Sequence, residues 1–116
     1  MGSARLIWRA EVYDVDLGQP IGHEPGFRRP AVVVSANVLH NGAGELVAVV
    51  PITSTRYKLR SHIELEPGST GLDHVSYARC DQLRFVSTQR VVESRGYASH
   101  DAMSEIDRAL RFVLDL

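Results

Sequence analysis

Cysteine occurs once, at Cys80, so no disulfide can form within the chain. Such sparse use fits a reducing compartment, and the expected location is the cytoplasm. Long apolar runs are also missing. The longest, Leu46 to Ile52, falls far short of the roughly 20 residues a spanning helix needs, so no membrane partner is expected. Met1 to Arg5 lack the apolar core of a signal peptide. The eight aromatic residues are dispersed, which argues against the aromatic groove of a peptide-binding SH3 module. His23, His40, His62, His74 and His100 show no His-x-x-x-His spacing, and no Cys-x-x-Cys is present. Neither a metal nor another cofactor is therefore expected.

A strong basic excess is absent too, since the net charge is −1. That argues against a long duplex-binding footprint. Charge is unevenly spread, however: residues 17–95 hold nine Arg/Lys and seven Asp/Glu, whereas both ends are acidic. A local basic surface can form in the middle of the chain. At 116 residues, 44% of them hydrophobic, residues 1–116 are expected to make one domain with its own core.

Glu11 to Leu17 reads as a first strand, with Tyr13, Val15 and Leu17 on one face and Val12, Asp14 and Asp16 on the other. Gly18 to Pro30 reads as a Gly/Pro-rich loop. Ala31 to Ser35 and Leu46 to Thr53 are nearly continuous apolar runs, expected of strands covered on both faces. Asn37 to Gly44, with Asn-Gly and a second Gly, is expected to turn. Thr55 to Ser61 is a basic loop, and Ile63 and Leu65 mark a half-exposed strand ended by Pro67-Gly68. Ser76 to Val86 gives one or two strands around Asp81-Gln82, and Val91 to Ala98 adds another. One long helix closes the chain, capped by Ser99, with Met103, Ile106, Leu110, Val113 and Leu114 as its apolar stripe. The fold class is mainly β (α+β): a small, strongly bent sheet or barrel with a C-terminal helix.

Three clusters sit where core strands meet loops, a common place for active sites. They are Gly22 to Pro30, Val50 to Ser54 and Arg79 to Arg84. Within the last, Arg79 and Asp81 lie two apart and would share a face on a strand. Singly, each has an ordinary structural explanation: a solvated loop histidine, a hydroxyl turn, a surface ion pair. Cys80, between Arg79 and Asp81, is expected to point into the core as a small hydrophobe.

Taken in order, these segments resemble the MazF/PemK/Kid family of toxin endoribonucleases over nearly the whole chain. The resemblance is carried by Arg9 to Gly18, Gly22-His23-Glu24, Arg29-Pro30 with Val32 to Ser35, Val49 to Ser54, Arg79-Cys80-Asp81-Gln82-Leu83-Arg84, and Met103 to Leu110. It implies an SH3-like β-barrel with a C-terminal helix, assembled as a homodimer. The implied activity is metal-independent cleavage of single-stranded RNA by attack of the ribose 2′-OH, under control of a cognate antitoxin. The implied catalytic positions are His23, Arg79 and Asp81 in one branch and Arg29 and Thr53 in others. This chain carries both sets.

Within that frame Asp81 is the expected base, Arg29 and Arg79 hold the phosphate bidentately, and Thr53 donates to it. A guanidinium with a pKa above about 12 is a poor proton donor, so His23 is the preferred acid. Glu24, Arg28, Ser54, Arg56, Lys58 and Gln82 are expected to contact RNA, with Tyr57 and Arg60 adding surface to the basic loop. Arg28 and Arg29 are adjacent, and Arg29 is preferred at the site because it abuts Pro30. The principal alternative is a non-catalytic CcdB-like toxin of the same fold that inhibits a protein such as gyrase. The tail Phe112-Val113-Leu114-Asp115-Leu116 lacks the Trp-Gly pair typical of that type.

Overall fold

The computed structural model describes residues 6–41 and 44–116. Seven strands and two helices follow in the order β1 (Glu11–Asp16), β2 (Arg28–Val33), α1 (Asn37–Asn41), β3 (Leu46–Thr53), β4 (His62–Leu65), β5 (Ser76–Arg79), β6 (Arg84–Ser87), β7 (Val91–Tyr97) and α2 (His100–Leu114). A 3₁₀ turn at Cys80–Gln82 separates β5 from β6, so Ser76 to Val86 makes two strands around Asp81-Gln82. All described strand pairs are antiparallel.

β3 is the hub. Its residues 49–51 pair with β2 on one edge, while Leu46 to Val49 pair with β6 and Ile52 and Thr53 with β5. The sheet order is β4-β5-β3-β2-β1-β7, and the two end strands are not bonded to each other. The expected barrel is thus an open sheet in its hydrogen bonding. Pro67-Gly68 ends β4, and a turn reaches β7 where a strand would close the sheet. Tyr97 N donates to Ser69 O at 2.7 Å, and Arg95 Nε donates to Gly71 O at 3.3 Å.

Both faces of the sheet are covered, which is why β2 and β3 read as continuous apolar runs. On one face, Val12, Val32, Val50, Ile52, Leu65, Ala78 and Cys80 pack under Met103, Ile106 and Ala109 of α2. On the other, Tyr13, Val15, Leu17, Ala31, Val33, Val47, Val49, Val86 and Val91 pack with Ile7. The alternation read along β1 holds, with Val12 also buried, whereas Asp14 and Asp16 meet arginines.

Helix α2 starts as expected, with Ser99 Oγ accepting from Ala102 N at 3.0 Å. Its buried stripe is Met103, Ile106 and Ala109. Leu110 and Val113 are half-buried, and Leu114 is 51% exposed because the last turn runs past the sheet. Arg9 ties the chain's start to this helix through Asp107.

Of the Asn37 to Gly44 segment, expected to turn, residues Asn37–Asn41 are helical instead. They form the short helix α1, held by side chains that bond the residues before β1, and Gly42 and Ala43 lie outside the described residues. Asn37 Oδ1 accepts from Arg9 N, while the Asn41 amide pairs with both Ile7 N and Ile7 O. His40 is buried between Ser35 Oγ at 2.9 Å and Ile7 O at 2.7 Å. A carbonyl can only accept, so Nε2 carries a proton, and a neutral ring takes Ser35's hydroxyl proton at Nδ1. Ser35 Oγ in turn accepts from Ala48 N.

Cys80 is fully buried in the helix-side core. Burial pushes its thiol pKa up to about 12, with the Asp81 and Asp107 carboxylates adding to the effect. Because the thiolate is the reactive form, native protein at pH 8 should resist alkylation by iodoacetamide, and denatured protein should react fully. Rapid labelling of the native state would contradict this placement.

Candidate functional site

The ends of β2 and β3 open into a cavity of about 290 Å³ lined by Arg29, Thr53, Ser54, Asp73, His74 and Arg95, among others. Arg29 is two residues before Ala31, and Thr53 is two after Pro51, the partner of Ala31. Alternation therefore sends Arg29 and Thr53 to the same face of the sheet. Arg29 Nε donates to Gly26 O at 2.9 Å, which fixes the plane of the guanidinium by one corner. Arg95 is held from behind by Asp14 at 2.9 Å. Two guanidinium groups, the hydroxyls and an imidazole around one hollow suit an oxyanion such as a phosphate.

The same face continues across β5 and β4. Thr53 stands opposite Tyr77, Tyr77 opposite Glu64, and Arg79 opposite His62. Beyond Arg79 the 3₁₀ turn presents Asp81, whose Oδ1 lies 3.1 Å from His62 Nε2. Tyr57 sits against this group, its ring edge-on to His62 at 5.6 Å and under the Arg79 guanidinium at 5.6 Å. A second cavity of about 190 Å³ lies here, lined by Arg56, Lys58, Leu59, His62, Glu64 and Tyr77. Among buried polar atoms of the described residues, His62 Nδ1 and Arg79 Nε have no hydrogen-bond partner within the protein.

Four of the five expected catalytic residues thus lie along one face, in two neighbouring sets: Arg29 with Thr53, and Arg79 with Asp81. Ser54 joins the first set, and Arg56 and Lys58 line the cavity beside the second. Gln82 follows Asp81 at half-exposure. His23 is exposed on the loop before β2 and lines neither cavity. Glu24 Oε1 accepts from Ile21 N at 3.1 Å, which stiffens the turn carrying His23. Arg28 points away from the Arg29 cavity, toward Asp14 at 3.5 Å and Glu93 at 3.3 Å. Of the adjacent pair, Arg29 is the one lining the hollow.

Sequence reasoning did not single out His62, His74 or Arg95. Their places depend on strand register and on the turn after β4, which no local spacing encodes. Among the described residues, no group of three or more His, Cys, Asp or Glu side chains stands within reach of one metal ion.

Comparison with known proteins defines the class first. The family model for PemK-like, MazF-like toxins of type II toxin-antitoxin systems matches residues 8–114, and the chain belongs to that family. Endoribonuclease MazF9 of Mycobacterium tuberculosis is 35% identical over 116 residues, covering 96% of this chain and 98% of that protein. A crystal structure of MazF from Deinococcus radiodurans superposes with a TM-score of 0.82 at 25% identity, covering 97% of this chain and 100% of the other. A MazE-MazF structure from the same organism gives 0.77 at 25% identity, covering 97% and 99%.

The turn that walls the Arg29 cavity depends on two glycines. A Cβ on Gly71, at φ +72°, would meet Arg95 O at 2.1 Å, and one on Gly96 would meet Ser69 O at 2.0 Å. Gly96→Ala must therefore push the turn off β7, a backbone shift costing about 1–3 kcal/mol. Thermal unfolding should show a melting temperature several degrees lower. An unchanged value would contradict the close packing of turn and strand.

Proposed function

We propose that this chain is the toxin of a type II toxin-antitoxin pair and acts as a metal-independent endoribonuclease on single-stranded RNA, mRNA in particular. The single observation that carries this reading is the shared sheet face bearing Arg29, Thr53, Arg79 and Asp81. The reaction needs a base, positive charge around phosphorus and a proton donor, and side chains of the right chemistry lie along that face. Asp81 takes the proton from the ribose 2′-OH as O2′ bonds to phosphorus. Arg29 and Arg79 offset the charge that builds on the phosphoryl oxygens, and Thr53 donates to one of them. The P–O5′ bond breaks, and an imidazole protonates the leaving oxygen. His23 fills that role from the loop that anchors Arg29. His74, already in the cavity wall, is the competing donor, and single alanine variants at the two positions separate them.

Glu24, Ser54, Arg56, Lys58 and Gln82 position the strand on either side of the scissile phosphate. Arg28, paired with Asp14 and Glu93, contributes field more than contact. The partners in this reading are the RNA, a cognate antitoxin that covers the basic face, and a second copy of the chain. Leu46 and Phe85, both about half exposed, share one face of the β3–β6 pair and offer apolar surface for dimerisation. Among the described residues, no helix is long and apolar enough to cross a membrane, and we assign the toxin to the cytoplasm. The named relative is an endoribonuclease, which favours catalysis over a gyrase-directed role.

Purified protein should cut a mixed-sequence single-stranded RNA in excess EDTA, leaving 2′,3′-cyclic phosphate upstream and 5′-OH downstream. A 5′-phosphate would mean that water attacked, and the mechanism would be wrong. Arg29→Ala and Asp81→Asn should each lower turnover by at least about a hundredfold without unfolding the chain. A folded Asp81→Asn variant with native turnover removes Asp81 from the mechanism. Sedimentation at micromolar concentration should give about twice the 12.9 kDa chain mass. A monomer that still cleaves would eliminate the second copy from the site.

A further inference from the structure

His62, the residue in contact with Asp81, was left unassigned by family resemblance and sequence spacing. Its side chain is only 3% exposed, against 35% for Asp81. Nε2 faces Asp81 Oδ1 at 3.1 Å, while Nδ1 is buried without a partner within the protein. An ionised carboxylate only accepts, so the proton between them sits on Nε2. A purely structural role is poorly served by this arrangement. A buried polar atom left unpaired is destabilising, and an apolar ring of similar shape would fill the same space without that penalty. What the imidazole adds is a directed N–H at one carboxylate oxygen. Oδ2 makes no hydrogen bond with the described residues.

We propose that His62 is a positioning residue for RNA cleavage: its Nε2–H holds Asp81 Oδ1 and so aims Oδ2 at the ribose 2′-OH. This deepens the reading above and rests on Asp81 being the base. Asp81 stands on the three-residue turn between β5 and β6, where a short carboxylate would otherwise sample several rotamers. His62 is anchored far better. It is the first residue of β4, registered directly opposite Arg79 and braced by the edge-on Tyr57 ring. The base is thereby locked to the same strand pair that carries the Arg79 guanidinium. Nucleophile activation and charge stabilisation then share one rigid frame. Displacing a reacting group by about 1 Å can cost a hundredfold in rate, so loss of this tether should be read in turnover and not in binding.

The test uses steady-state cleavage of a synthetic single-stranded RNA spanning a site mapped with the native protein. Native chain, His62→Phe, His62→Asn, His62→Gln, Asp81→Asn and the double variant His62→Phe/Asp81→Asn are compared. His62→Phe should lower kcat about ten- to a hundredfold with KM within about twofold. His62→Gln, whose amide nitrogen reaches about as far as Nε2, should recover most of that loss. His62→Asn, with a shorter reach, should not, and it keeps the comparison valid if the Phe variant folds poorly. In the Asp81→Asn background, His62→Phe should cause little further loss, because the group it aims is gone. Native kcat in His62→Phe, equal impairment of the Gln and Asn variants, or additive losses in the double variant would each overturn the positioning role alone. An Asp81→Asn protein with native kcat would overturn it by removing the base. Absence of cleavage by the native chain would instead overturn the proposed activity itself.

Discussion

Everything placed on the site face depends on β3 being paired along its whole length. Its first half is bonded to β6, its middle to β2 and its last two residues to β5. Val47, Val49 and Val50 are fully buried, and Ala48 nearly so, with cores on both sides. Each such valine gains roughly 1.5–3 kcal/mol from burial. A one-residue slip of this strand would exchange its two faces. Thr53 would then leave both the cavity it shares with Arg29 and its place opposite Tyr77, so the Arg29 set would lose its alignment with the β4–β5 pair that carries Arg79 and His62. Register in the hydrophobic centre thus fixes the relative positions of charged groups at the rim.

The rim itself is organised by charge held from behind. Asp14 engages both Arg28 and Arg95, so one guanidinium is turned away from the Arg29 cavity and the other is kept in its wall. Gly26 O steadies Arg29, and His62 meets Asp81. These side chains are arranged before any substrate arrives, which reduces the reorganisation required during reaction. The chain needs no large basic excess for this. A net charge of −1 coexists with a basic face because many carboxylates lie elsewhere. Glu66, Asp101 and Glu105, for instance, line a separate groove between β4 and α2.

Local pattern made much of this legible. Apolar runs marked β2 and β3, and Ser99 marked the start of α2, while Ser76 to Val86 read as one or two strands and is two. Arg29, Thr53, Arg79 and Asp81 were legible as residues at strand–loop junctions. Local spacing does not group them, because the grouping follows from cross-strand register; the family resemblance alone implied it. α1 was read as a turn because Asn and Gly favour turns, whereas here Asn37, His40 and Asn41 form side-chain bonds to residues far away in sequence. β2 begins at Arg28, inside a stretch whose glycines and prolines suggested loop, since β1 offers pairing partners as far as Asp16. His62 looked like one more scattered histidine. Only the β4–β5 pairing brings it to Asp81.

The central claim is that the substrate's own 2′-OH is the nucleophile, activated on this face. A single-stranded RNA carrying one 2′-deoxy nucleotide on the 5′ side of the cut tests it most directly, because binding is nearly unchanged while the attacking group is gone. The account predicts that this oligonucleotide binds with an affinity close to that of the all-RNA strand and stays intact at that bond, with cleavage elsewhere unaffected. Cleavage at the substituted bond at the normal rate would contradict it.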